Sequence, residues 1–148
     1  GDANSSDIQW WLEWYTDTGA TASNATIAVT YNDGTTGNLT TVAVGGTIRV
    51  GRMLPLNSLI PAAAAGKYIR AVNTVTLSAS TATAGNFGVT ATRPRMTEPL
   101  NVANKMEYFD WAALGLPEIF NSSCLWPIEL CSTTTTGTVR GGGKIAHG

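Results

Sequence analysis

Few side chains in this chain could carry out covalent or acid–base chemistry. There is one histidine, His147, one residue from the end, and there are two cysteines, Cys124 and Cys131. A Cys–His nucleophile needs the imidazole held firmly beside the thiol, and a penultimate residue sits where chains fray. Asp2, Asp7, Asp17 and Asp33 could gather round a cation, but they lack the alternating spacing of a ligand loop and read as solvated acids at strand ends. Gly141-Gly142-Gly143-Lys144 lacks the spacing of a phosphate loop and the helix that follows one; it reads as a flexible or bulged C-terminal strand. Trp10, Trp11 and Trp14 could stack on a sugar. Adjacent residues of a strand point to opposite faces, so Trp10 and Trp14 share a face with Ile8 and Leu12, which marks core. Trp11, on the other face, is the candidate for an interface or ligand contact. No catalytic residue, metal or cofactor is expected, and the chain is read as non-enzymatic.

Charge is the stronger signal. From Gly34 to Thr97 the chain has no Asp or Glu but carries Arg49, Arg52, Lys67, Arg70, Arg93 and Arg95. The first 33 residues hold Asp2, Asp7, Glu13, Asp17 and Asp33 with no Lys or Arg. The net charge of -1 hides this separation. Separated charge suits a surface that meets a complementary one. Arg49, Arg52, Arg70, Arg93 and Arg95 are therefore the interface candidates, expected against an acidic surface of a neighbouring copy or another protein. A pI near 5.7 and the lack of aromatic residues interleaved with the arginines argue against nucleic acid as the partner.

The chain's 148 residues fit one domain with a proper core. Only 13% of them are charged, about half the roughly 25% of an ordinary domain, with Thr, Ala and Gly in their place. Such a surface suits a protein covered by neighbours or one working outside the cell. No apolar run approaches the roughly 18 residues of a membrane span, and no membrane is expected among its partners. If residues 123–132 form one strand, Cys124 and Cys131 lie about 23 Å apart at roughly 3.3 Å per residue. A disulfide needs Cα atoms within about 7 Å, so free thiols are expected, at least one of them buried.

The dominant period is two, the period of strands. Residues 7–15 alternate Ile8, Trp10, Leu12 and Trp14 against Gln9, Trp11, Glu13 and Tyr15. Residues 24–31 alternate Ala25, Ile27, Val29 and Tyr31 against Thr26, Ala28 and Thr30. Asn32-Asp33-Gly34 is a tight-turn signal, and residues 39–44 return the chain in a hairpin. Strands are expected again over 47–54, over 67–80 with a bulge after Val72, and from Phe87 through Val89 and Ala91. A loop with one helical turn at Ala62–Ala65 separates the first two of these. Residues 105–114 are the one helix candidate, ended by Gly115, and 123–132 and 138–146 are the last strands. The expected fold is all-β: an antiparallel β-sandwich, jelly-roll-like or Greek-key, with one short helix. Its core should hold Ile8, Trp10, Leu12, Trp14, Ile27, Val29, Val75, Leu77, Phe87 and Val89.

Three stretches carry a resemblance. They are Trp11-Leu12-Glu13-Trp14-Tyr15-Thr16-Asp17-Thr18-Gly19-Ala20-Thr21, the run from Val75 to Thr90, and the ending from Leu114-Gly115-Leu116-Pro117-Glu118-Ile119-Phe120 through Cys124-Leu125 and Thr134-Thr135-Thr136-Gly137-Thr138-Val139. Together they resemble a virion structural protein family of tailed bacteriophages. The likeness covers nearly the whole chain, in turn-and-strand text rather than chemistry. It implies a non-enzymatic particle component whose residues 1–148 form one β-sandwich domain, the C-terminal part of a longer chain. It also implies a place in the virion, on the capsid, neck or tail. A capsid decoration protein is the expectation, held by contacts with copies of itself, trimers preferred, and with virion proteins such as the major capsid protein. The alternative is a carbohydrate-binding β-sandwich on a tail or neck appendage, which an exposed Trp11 or Trp126 beside polar side chains would favour.

Overall fold

The computed structural model describes residues 5–82, 85–99 and 106–130. Its centre is β2 (Ala22–Tyr31), whose alternation of Ala25, Ile27, Val29 and Tyr31 with Asn24, Thr26, Ala28 and Thr30 puts one face wholly inside. After Tyr31 the chain reverses through Asn32-Asp33-Gly34. Gly34 takes a φ of +83°, the left-handed conformation that a three-residue hairpin loop asks of its last position. The Asp33 carboxylate accepts from both the amide and the hydroxyl of Thr35 and fixes the turn. The return is split into β3 (Thr36–Asn38) and β4 (Val42–Gly45), with buried Leu39 between them.

β6 (Ile69–Leu77) pairs antiparallel along the other side of β2. Ala28 is opposite both Asn38 and Thr74, and Ala25 opposite both Val42 and Leu77; β3 and β4 therefore share one edge of β2 and β6 takes the other. The expected bulge is present. Val72 faces Val29 and Thr74 faces Ala28, which leaves Asn73 as the extra residue. Its side-chain amide donates to the Thr30 hydroxyl.

The second sheet has the order β5-β1-β7, all antiparallel, built from β1 (Gln9–Trp14), β5 (Met53–Pro55) and β7 (Phe87–Thr92). Its inner face carries Trp10, Leu12 and Trp14, and the two inner faces close over Leu12, Trp14, Ala25, Ile27, Val29, Tyr31, Val44, Leu56 and Ile69. The fold is thus all-β, in two antiparallel sheets. Three further hydrogen bonds tie the pieces. The Trp10 indole donates to the Ile69 carbonyl across the sheets. The Asn57 side chain accepts from the Trp10 amide and donates to the Ile8 carbonyl, in place of a strand partner. Asn57 and Ala62–Ala64 lie on short 3-10 turns.

Of the expected core, Leu12, Trp14, Ile27 and Val29 are fully buried, whereas Ile8, Trp10, Val75, Leu77, Phe87 and Val89 are only half-buried. The physical reason for the last four is position. β6 and β7 are edge strands, and among the described residues nothing pairs with their outer sides.

Three expected elements do not form as expected. The strand over 47–54 shrinks to Met53–Pro55, because Asp17 and Thr18 capture the backbone of Ile48 and Val50 and hold that stretch as a loop. No helix forms over 106–114 in the described residues. The Asp110 carboxylate caps the amides of Ala112 and Ala113, Gly115 ends the turn at φ +61°, and only one turn fits between cap and stop. Residues 123–130 carry no strand pairing, because a strand needs a neighbour as well as an alternating pattern. The remainder of that expected strand, Cys131 and the expected strand over 138–146 lie outside the described residues.

The chain divides into two units, Gly1–Leu116 and Pro117–Gly148. Among the described residues all the strands fall in the first. In the second, Phe120 to Ser123 forms a turn, closed by the Ser123 amide on the Phe120 carbonyl.

Truncating Trp14, which is buried between the sheets, to Ala should cost about 3–5 kcal/mol in urea unfolding, as a large-to-small core change does. Gly19→Ala should also destabilise, since its methyl would overlap the Thr81 carbonyl oxygen, a backbone atom unable to swing aside. By contrast Gly88→Ala meets only the ring of half-exposed Tyr15, which can rotate away. Equal losses for the two glycine variants would contradict this packing.

Candidate functional site

The acidic and basic stretches of the sequence meet within the chain. Asp7 precedes β1 and Arg93 follows β7; antiparallel pairing of Gln9 with Thr92 brings them to 3.0 Å. Asp33 follows β2 and Lys67 precedes β6; pairing of Tyr31 with Ile69 brings them to 2.8 Å. Asp17 follows β1 and Arg49 lies in the loop before β5, and they meet at 2.8 Å. Antiparallel strands bring the start of one beside the end of another, so charges far apart in the chain become neighbours at the strand ends.

Two of these acids are held below their ordinary carboxylate value, Asp33 the further. For Asp33 the main cause is the Lys67 ammonium, followed by the hydroxyl and amide of Thr35. Asp17 is lowered chiefly by the Val50 amide and then by the Arg49 guanidinium. The Lys67 ammonium also lies 5.4 Å from the centre of the Tyr31 ring, a cation–π contact. These exposed pairs are screened by water and salt, so their worth is registration more than stability.

The expected interface arginines therefore separate. Arg49 and Arg93 are engaged by Asp17 and Asp7. Arg95 is half-buried after β7. Arg52 and Arg70 are exposed, and their side chains have no ion pair or hydrogen bond among the described residues. Arg52 stands at the rim of an open cleft of about 250 Å³ whose walls include Trp14, Ile48 and Leu54 with Gly45 and Gly46. Its lining adds the Thr47 side chain and includes no Asp, Glu, His or Cys. Trp11 is not the surface contact expected of it. It is 6% exposed, and its indole donates to the Thr92 hydroxyl at 2.7 Å. Among the described residues no three of His, Cys, Asp and Glu converge.

The larger exposed feature escaped notice in the sequence. Residues 106–130 carry Met106, Tyr108, Phe109, Leu114, Phe120, Leu125, Trp126 and Leu130 exposed, with Tyr108 at 84% and Leu130 at 71%. Cys124, expected free, is a free thiol there and is exposed. The same residues contain Glu107, Asp110, Glu118 and Glu129 but no Lys or Arg. That one-sided charge inside an apolar stretch is the signal that could have found it. No family model, curated protein or solved structure matches the chain.

A carboxyl whose pKa is depressed by folding contributes stability above its unfolded value and loses it as the pH falls through the folded one. The Asp17 and Asp33 contributions are thus intact at neutral pH and fade below the ordinary aspartate value of 3.8. The melting temperature should fall as pH drops from about 4 to about 2, and Asp33→Asn should flatten part of that fall by lowering the melting temperature at pH 7 toward its acid value. An unchanged acid limb in the variant would contradict the Asp33–Lys67 assignment.

Proposed function

We propose that this protein is a non-enzymatic structural component of a tailed-phage virion, a capsid decoration protein that works by protein–protein contacts. The observation that carries the reading is the exposed, apolar and exclusively acidic segment 106–130. Exposed apolar side chains of this size, close together in the chain, mark a surface meant to be covered. Segments with little structure of their own commonly order against a partner. The low charge elsewhere and the resemblance to phage virion proteins support the same reading. Arg52 and Arg70 are the basic groups left to meet acidic neighbours, in place of the five arginines expected from the sequence.

A second reading, a carbohydrate-binding sandwich of a tail or neck appendage, draws on Trp126, which is 51% exposed. Its neighbours in the chain are Leu125 and Pro127 rather than polar side chains, which favours a protein partner.

Leu125→Ser combined with Trp126→Asp should lower the occupancy of the protein in assembled particles several-fold while leaving the circular dichroism of the free protein unchanged. Wild-type occupancy would contradict the proposal. Loss of glycan binding in Trp126→Ala with incorporation intact would favour the second reading.

A further inference from the structure

Resting on that reading, we propose that residues 123–130 of one copy add as a strand to the outer edge of β6 in a second copy. The receiving edge is nine residues long and pairs only with β2 among the described residues. Its inner side chains, Val72, Val75 and Leu77, are half-buried although the β2 residues opposite them, Val29, Ile27 and Ala25, are fully buried. Among the described residues the core is thus covered from the β2 side and open on the far side of β6, where an additional strand would close it.

The donated segment has the pattern for that place. Cys124, Trp126, Ile128 and Leu130 alternate with Ser123, Leu125, Pro127 and Glu129, giving one apolar face over a length that matches β6. Leu125, Trp126 and Leu130 are exposed, as side chains that a second copy is to cover must be. Charge agrees. Arg70 is the only charged residue of β6 and has no partner among the described residues, and Glu129 is the only charged residue of the segment. Pro127 lacks an N–H, so it belongs on an edge strand with that position facing outward. An added strand carrying it is a poor template for another, so pairing stops at one strand per edge. Each copy donates one strand and receives one.

The free thiol of Cys124 supplies the test. In the full-length chain carrying Cys131→Ser, Val72→Cys, Val75→Cys and Leu77→Cys are introduced singly and the protein is mildly oxidised. At least one should give a disulfide to Cys124 between copies, seen as a covalent dimer on non-reducing gels and in intact mass. Adding Trp126→Asp should abolish it. Arg70→Glu should weaken self-association about tenfold at low salt, and Glu129→Arg on that background should restore it. A disulfide at monomer mass would overturn the proposal, and so would no disulfide at any of the three positions in variants with native circular dichroism. If crosslinking fails while the Leu125 and Trp126 double variant still drops out of particles, the assembly function stands and only the partner is wrong. If that variant also assembles normally, both fall.

Discussion

Pairing of β2 along both of its edges is the constraint on which the first sheet and most of the core depend. Its inner side chains are all small or medium except Tyr31, so β6 on one side and β3 with β4 on the other can lie close and present Ile69, Val44 and Leu39 to the same interior. The second sheet then has a surface to land on, and Trp10, Leu12 and Trp14 fill it from above. Because β2 is satisfied on both sides, the incompleteness of the sandwich moves to β6 and β7. Their core side chains are half-buried there.

Charge follows from the same antiparallel geometry. Each of Asp7, Asp17 and Asp33 stands where a strand ends, and each meets a base from the end of a segment lying next to it. These contacts set register at the sheet ends and consume two of the arginines that a linear reading assigns to an interface. What is left over is more selective: Arg52 beside an apolar cleft and Arg70 on an open strand edge.

Much of this was legible in the chain. The Asp33-Gly34 turn, the alternation of 24–31 and the change of parity after Val72 are local signals, and each has its structural counterpart in the hairpin, the buried face of β2 and the Asn73 bulge. The misread elements depended on distant groups. Nothing within 47–54 announces that Asp17 and Thr18, some thirty residues away, will hold its backbone as a loop. Trp11 alternates as an outward residue, yet Thr92 on a strand far along the chain engages its indole. Residues 105–114 have a stop signal in Gly115, but the Asp110 cap stands too close to it for more than one turn. Residues 123–130 have strand alternation without a neighbour, and periodicity says nothing about which chain supplies one. The exposed acidic segment was hidden for a related reason: its acids are few, and only the absence of Lys and Arg among so many apolar residues sets it apart.

Hydrogen exchange measured by mass spectrometry over a range of protein concentrations tests the central claim most directly. If the open side of the sandwich is closed by the acidic segment of another copy, amides of residues 69–77 and 123–130 should gain protection together as concentration rises, while those of β2 stay protected throughout. Protection of both segments that does not change with concentration would contradict the account.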